Sequence, residues 1–427
     1  MMPNLFRAPR GADFTPDRAF HRIKDYFAAP SAPGPRLVMD VSTAMRWIGR
    51  NAVGIVRTER EIAKHLVTSG HDVELVYYDR DNLEFRVLTE AQWTDLLPDM
   101  RTYSRKRSTL PNYNALFLFQ ENDILVSAGL QWDIEFLNIV YRSKKSLNFK
   151  VVQLIYDLIP IDMPEYCAPG MDVLFPRFIM DTVWTADVVY AISESTKTAF
   201  VEYAKTLKAA RIPPVRRIRL GCDIPQQATP DRGFGGLQPG RFVLYVSTIE
   251  PRKNHRMLFD IWRLLSKRLG DRLPKLVLVG SRGWNTDNFI ANAEACLALY
   301  PDKITILESV ADEDLNWMYS NAYFTVYPSL HEGWGLPIAE SLARGTPCIA
   351  SDSSSMPEAA DTFCQLIDPY DFVGWKSAIE AYITQPHLVA EARETIRSSY
   401  RTVTWDEAIR AFVADLTMIS NRMVGRA

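Results

Sequence analysis

The chain has 427 residues, a formal net charge of −2, and 47% hydrophobic and 23% charged residues. Such a length suits two or three domains of ordinary globular composition, and the near-neutral balance excludes nucleic-acid binding by bulk charge. Five cysteines at 167, 222, 296, 348 and 364 show no paired spacing, so neither a disulfide framework nor a zinc site is expected.

Residues 1–34, rich in Pro, Ala and Arg, read as a loosely held lead-in with one short helix near Asp17–Tyr26. The opening MMPNLFRAPRGADF has no apolar core of a secretory signal, and no run reaches the ~18 apolar residues of a spanning helix. A cytoplasmic setting is expected. The first core strand is Arg36–Val41. A loop with Gly49 and Gly54 follows, then an amphipathic helix carrying Ile55, Ile62, Ala63 and Leu66, ended by Gly70. Val73–Tyr78 is the next strand, which completes a βαβ unit. Ala115–Phe119, Asp123–Ser127, Lys150–Ile155 and Val188–Ile192 read as further buried strands with helices between most of them. Ser193 reads as the N-cap of a helix over Thr196–Lys205. The alternation predicts a parallel, doubly wound sheet.

A Pro/Gly-rich connector lies mostly between Pro213 and Gly240 and includes GCDIPQQATPDRGFGGLQPG. It reads as a domain boundary. The pattern then restarts: strand Phe242–Ser247, helix His255–Leu269, strand Lys275–Gly280, a helix near Asn285–Leu299, strand Lys303–Leu307, helix Asp314–Asn321, strand Tyr323–Tyr327, helix Pro337–Arg344 and strand Thr346–Ala350. A last helix begins near Thr404, with Trp405, Ala408, Ile409, Phe412 and Leu416 on one face. The reading is α/β with two Rossmann-like halves: an N-terminal domain over 1–222, a C-terminal domain over 223–403, and the helix at about 404–420 packed back on the first.

The densest chemistry lies in YPSLHEGWGLPIAESLARGTPCIASDSSSMPE, residues 327–358. Glu332 and Glu340 stand eight positions apart around a Gly-Trp-Gly-Leu-Pro turn. Pro337 suits a first helical position and Gly345 the residue past the helix end. Gly333 and Gly335 lack a Cβ, so a ligand can lie against their backbone. The free N–H groups of the helix start favour an anion. Two acceptor-only carboxylates around an anion-seeking helix end suit a ligand with hydroxyls and phosphates, such as a nucleotide sugar. Upstream, Arg252 and Lys253 sit between a strand and a helix start, with Asn254 placed as an N-cap. They offer a bidentate fork and a point charge for a diphosphate. Lys253 would meet an anion and not the core, so its loss is expected to cost activity with little loss of folding. The run Asp312-Glu313-Asp314 reads as first-turn helix charges and not as a metal motif.

The segment resembles the signature of retaining glycosyltransferases of the family 4 type, an E-x7-E motif followed by a proline-glutamate turn. The similar order of strands, glycine loops and helices runs from about Leu37 to about Leu416. Glu250-Pro251-Arg252-Lys253-Asn254 lies upstream at a suitable distance. The resemblance implies the GT-B fold, with a nucleotide-sugar donor as co-substrate and no metal or other cofactor. It places Lys253 and a nearby basic residue, here Arg252, on the donor diphosphate. Thr248 stands where many relatives carry an arginine. Glu332 would lie at the donor sugar, orienting hydroxyls or stabilising an oxocarbenium-like transition state, and Glu340 at the ribose. Backbone N–H groups of Gly335 and Leu336 would meet the sugar or β-phosphate, and main-chain groups of Val310 the base. Trp334 would pack under the loop. On the N-terminal side, Asn51 and Gly54, with Arg57 one turn on, form the loop that relatives place near the donor phosphate or acceptor. In QLIYDLIP, Tyr156 replaces a histidine that often sits near the acceptor. Asp157 is the best acceptor-side carboxylate, with a structural role in the turn equally open.

The R-K-N form and Gly280-Ser281-Arg282-Gly283-Trp284 look like a subgroup that builds bacterial surface polysaccharides, often from GDP-mannose. A glycan or lipid-linked saccharide acceptor follows from that likeness. Two other functions fit the same outline: a sugar-nucleotide epimerase of GT-B fold, and a non-catalytic nucleotide-sugar-binding partner of another transferase. Basic clusters at Arg7, Arg10, Arg18 and Arg22, at Arg101, Arg105, Lys106 and Arg107, and at Arg142, Lys144 and Lys145 give a reason to expect peripheral docking on an anionic inner membrane face.

Overall fold

The computed structural model describes residues 35–49, 54–97, 114–222 and 234–424. The short helix expected near Asp17–Tyr26, Asn51, and the two basic clusters at 7–22 and 101–107 lie outside them. Thirteen strands fall into two sheets among the described residues. The N-terminal sheet holds β1 (Leu37–Asp40), β2 (Val73–Asp79), β3 (Glu84–Val87), β4 (Ile124–Ser127), β5 (Lys150–Ile155), β6 (Val188–Ala191) and β7 (Val215–Arg217), in the order β3-β2-β1-β4-β5-β6-β7. Every pairing in it is parallel except β2 with β3. The C-terminal sheet holds β8 (Phe242–Val246), β9 (Lys275–Val279), β10 (Ile304–Leu307), β11 (Phe324–Tyr327), β12 (Cys348–Ser351) and β13 (Gln365–Ile367). Its order is β10-β9-β8-β11-β12-β13 and it is parallel throughout. Helices cover both faces of such sheets, so central strands such as β6 and β12 are buried at every position.

Several expectations change. Ala115–Phe119 is not a strand: it touches β3 through a single bridge at Leu116, with Leu116 and Leu118 exposed. Phe117 is buried and donates its N–H to Phe85, so the segment is an irregular edge and not a core strand. β3, β7 and β13 are short edge strands that carry too few residues for a period to show. β7 lies inside the stretch read as connector. Asn254 stands at the N-cap position, but its side chain does not cap the helix. It takes a left-handed conformation (φ +58°), and its amide donates to the Pro369 carbonyl at 3.1 Å, tying the helix start to the loop after β13.

The final helix, Trp405–Val424, lies on the N-terminal sheet. Phe412 stacks edge-on against Tyr190 of β6 at 4.9 Å. Asp415 accepts hydrogen bonds from Tyr190 and Arg216 at 2.8 and 2.6 Å. The chain thus passes twice between the sheets, and the two passages touch: the Cys222 N–H donates to the Val403 carbonyl at 3.0 Å. A Cβ on Gly221 would fall 2.4 Å from the Trp405 backbone, so only glycine fits there.

Candidate active site

In a parallel sheet all loops at the carboxyl ends of the strands gather on one edge. Here the edges of the two sheets face each other. From the C-terminal domain come residues 247–253 after β8, 328–335 after β11 and 352–358 after β12; from the N-terminal domain, 156–157 after β5 and 192–196 after β6.

Glu332 is the electrostatic centre. Its Oε1 is 2.5 Å from Lys253 Nζ and 3.2 Å from Arg252 Nη1, and it accepts hydrogen bonds from Ser329 at 2.5 Å and Tyr327 at 3.2 Å. Arg252 also pairs with Glu250 at 2.5 Å and donates to the His331 carbonyl. Lys253 and Arg252 come from the loop after β8, while Ser329 and Tyr327 belong to β11 and the loop that follows it, close to Glu332 in sequence. Burial alone would raise the Glu332 carboxyl, but Lys253 and Arg252 outweigh it and hold the group down at about 2. Burial lowers the Lys253 ammonium, with Arg252 acting the same way. Burial also raises Asp157, which faces Arg252, Glu332 and Lys253 across the seam and is partly offset by Arg252. Asp157 accepts the Ile159 N–H at 3.0 Å, so it also closes its own turn. Of the two roles the sequence left open, this hydrogen bond shows the one in the turn.

Glu340, in the Leu336–Ala343 helix, lies apart from that centre. It accepts from Tyr319 at 2.9 Å and stands 4.0 Å from Arg57 of the N-terminal domain. Burial raises its carboxyl, with Arg57 opposing. The loop of Val310 adjoins it, since Asp312 acts on the Glu340 charge; Val310 itself packs against the buried cluster that includes Phe242, Leu244 and Trp317. Thr248 lines the back of the loop after β8, where a Cβ on Gly283 would reach its methyl at 3.1 Å. Gly54 begins its helix at φ +40° with open space beside its Cα. Tyr156 is buried and donates to the Ala128 carbonyl at 2.5 Å, so it braces the fold and does not face the cleft as the histidine reading implied. Trp334 is buried under the loop.

The two glycines also serve the fold. A Cβ on Gly333 would fall 2.1 Å from the Tyr156 carbonyl oxygen, so this glycine lets the two domains touch. Gly335 takes φ +106° with Ile338 and Ala359 beside it, so it is required by backbone conformation. The helix starts at Leu336, which puts Pro337 second, and Gly345 follows the end at φ +70°. Sequence reasoning also missed contacts across the seam. Trp284 donates its indole N–H to the Tyr166 carbonyl at 2.7 Å, and the Glu358 carboxylate accepts the N–H groups of Glu194 and Ser195, each at 2.8 Å. No periodicity or spacing connects residues more than a hundred positions apart.

Residues 232–399 match the family model described as glycosyl transferases group 1. The O-antigen chain mannosyltransferase B of Escherichia coli is 26% identical over 357 residues, covering 78% of this chain and 86% of that protein. The serotype-specific mannosyltransferase WbdA of Escherichia coli is 24% identical over 90% of this chain, which spans only 45% of WbdA. Among solved structures, the sucrose-phosphate synthase (tll1590) of Thermosynechococcus elongatus superposes with a TM-score of 0.61 at 17% identity, over 92% of this chain and all of that one. The chain is a glycosyltransferase of the GT-B fold whose residues 232–399 are similar to glycosyl transferases group 1.

Proposed function

We propose that this glycosyltransferase moves mannose from GDP-mannose to a glycan or lipid-linked saccharide in surface polysaccharide synthesis, with retention of anomeric configuration and without a metal ion. The observation that carries the reading is the Lys253–Glu332–Arg252 cluster set against Asp157 at the domain seam. Departure of a nucleoside diphosphate needs charge stabilisation. Lys253 has two further N–H donors beyond the one Glu332 takes, so it can turn to a diphosphate, and Arg252, with both terminal nitrogens engaged by Glu250, Glu332 and the His331 carbonyl, adds its fixed charge. Glu332, kept ionised, then faces positive charge developing on the sugar, and Glu340 with its Tyr319 partner offers acceptors for ribose hydroxyls. The donor sugar and the surface-polysaccharide role rest on the names of the two relatives above.

The test is incubation with a panel of nucleotide sugars and a saccharide acceptor, reading released nucleotide and the anomeric configuration of the product. Turnover of GDP-mannose to an α-linked product, unaffected by chelator, is expected. Inversion, loss of turnover in chelator restored by magnesium or manganese, or preference for another sugar overturns the corresponding part. Epimerised sugar nucleotide with no transfer would point to the isomerase reading instead.

A further inference from the structure

The helix Glu194–Thr206 begins at the seam. The first N–H groups of a helix have no acceptor inside it. Ser193 takes one of them, from Thr196, at 3.0 Å. The next two, on Glu194 and Ser195, find no acceptor in their own domain: they donate to Oε2 and Oε1 of Glu358, in the other domain. Arg217, at the end of β7, stands 3.6 Å from the same carboxylate. One side chain of the C-terminal domain is therefore held by three N-terminal groups that carry positive charge or partial charge. A second contact lies beside it. The Thr196 hydroxyl reaches the carbonyls of Tyr156 at 3.1 Å and Gly333 at 3.4 Å, one from each domain, where Gly333 presses on Tyr156. The loop carrying Glu332 and the turn carrying Asp157 are thus joined next to the Glu358 contact. The helix of Glu358 begins only one residue after Ser355, whose hydroxyl donates to the Glu332 and Trp334 carbonyls at 2.7 and 3.0 Å. A pull on Glu358 is passed to the Glu332 loop over a few bonds.

We infer that Glu358 is a positioning residue of the transfer reaction: it clamps the donor-binding domain onto the start of the Glu194–Thr206 helix and so sets Glu332 opposite Asp157. The inference rests on the transferase reading for its catalytic consequence and on geometry alone for the clamp.

The experiment uses the full chain with Glu358→Gln, Glu194→Pro and the double variant. Glutamine keeps one acceptor oxygen and turns an NH2 against the second N–H. Proline removes the Glu194 donor from the other side, and it is tolerated at a first helical position. Ser193 before it is already extended (φ −148°, ψ 164°), as a residue preceding proline must be. Three quantities are read: exchange of the Ser195 amide, kcat at saturating donor, and nucleoside diphosphate affinity by calorimetry. Glu358→Gln should speed Ser195 exchange about tenfold or more and lower kcat by about tenfold, with nucleotide affinity within about twofold. The double variant should be no slower than the slower single one, because both cut the same contact. Unchanged Ser195 exchange, faster exchange with unchanged kcat, or multiplying losses in the double variant each overturn the inference. If the parent turns over no nucleotide sugar, the transferase reading fails while the amide exchange still decides the clamp.

Discussion

A buried carboxylate is stable only where something holds its charge, and Glu332 shows the balance directly. Its ordinary value of 4.5 falls to about 2 because Lys253 and Arg252 outweigh burial. A depressed carboxyl contributes stability that is present above 4.5 and lost as pH falls toward 2; the shift corresponds to roughly 3 kcal/mol. Glu332→Gln should therefore lower the melting temperature most at neutral pH, and its deficit relative to the parent should close between pH 4.5 and 2. A deficit independent of pH would contradict the ion-pair account. Lys253→Ala removes one side of the same buried pair. The expectation that this lysine matters little for folding is revised: an uncompensated buried charge costs ~3–5 kcal/mol, and with Arg252 still 3.2 Å from Glu332 the loss should be a fraction of that. Thermal melting should show that loss beside a drop in turnover. The two glutamates separate by calorimetry with GDP alone: Glu340→Ala should weaken binding about tenfold, and Glu332→Ala should leave it within about twofold. Equal losses would reverse the assigned roles. These residues were legible individually, because motif and residue type mark them. Their pairing was not, since Lys253 and Glu332 lie 79 positions apart.

At the scale of elements, the reading succeeds where burial on both faces or a helical stripe writes a strong pattern. Lys150–Ile155 and the His255–Leu269 helix match residue for residue. In that helix Leu258, Ile261, Trp262 and Leu265 are all buried, as their spacing requires. It fails at edges, where three-residue strands such as Gln365–Ile367 owe their state to a neighbour and not to their own side chains. Turns are intermediate. Glycine flagged the loop before the Leu336–Ala343 helix, but the sequence could not distinguish a left-handed residue from one crowded by another backbone. Gly335→Ala tests the first kind: φ +106° is strained for alanine, at ~1–3 kcal/mol, and thermal melting should register it with no change in domain arrangement. A neutral result would mean that the helix starts elsewhere.

For the whole molecule, Gly333→Ala tests the second kind. Its Cβ would meet the Tyr156 carbonyl at 2.1 Å, and that atom is backbone with nowhere to move. The domains should part, so scattering should report a larger radius of gyration and turnover should fall, while any nucleoside diphosphate affinity of the parent is kept. An unchanged radius would show that the seam yields locally. Peripheral docking on an anionic membrane is also a whole-molecule property. Among the described residues no helix is long and apolar enough to cross a bilayer. In the described basic cluster Lys144 is already engaged by Asp187 at 2.6 Å, leaving Arg142 and Lys145 of the three to meet lipid. The chain should pellet with anionic vesicles at low salt, release as salt rises, and ignore neutral vesicles. Equal binding to both, or to neither, would favour an acceptor free in solution.

The double passage at Gly221 and Trp405 makes the N-terminal body discontinuous, with the C-terminal body inserted into it as a guest. Synthesis then runs out of step with assembly. The guest is finished and able to fold while its host still lacks the helix that covers Tyr190 and Arg216. Until residues 405–424 leave the ribosome, β6 presents an uncovered apolar face to the cell. The interval most open to aggregation therefore comes just before residues 405–424 are made, and a stop codon just before Trp405 would leave a folded guest on an unfinished host.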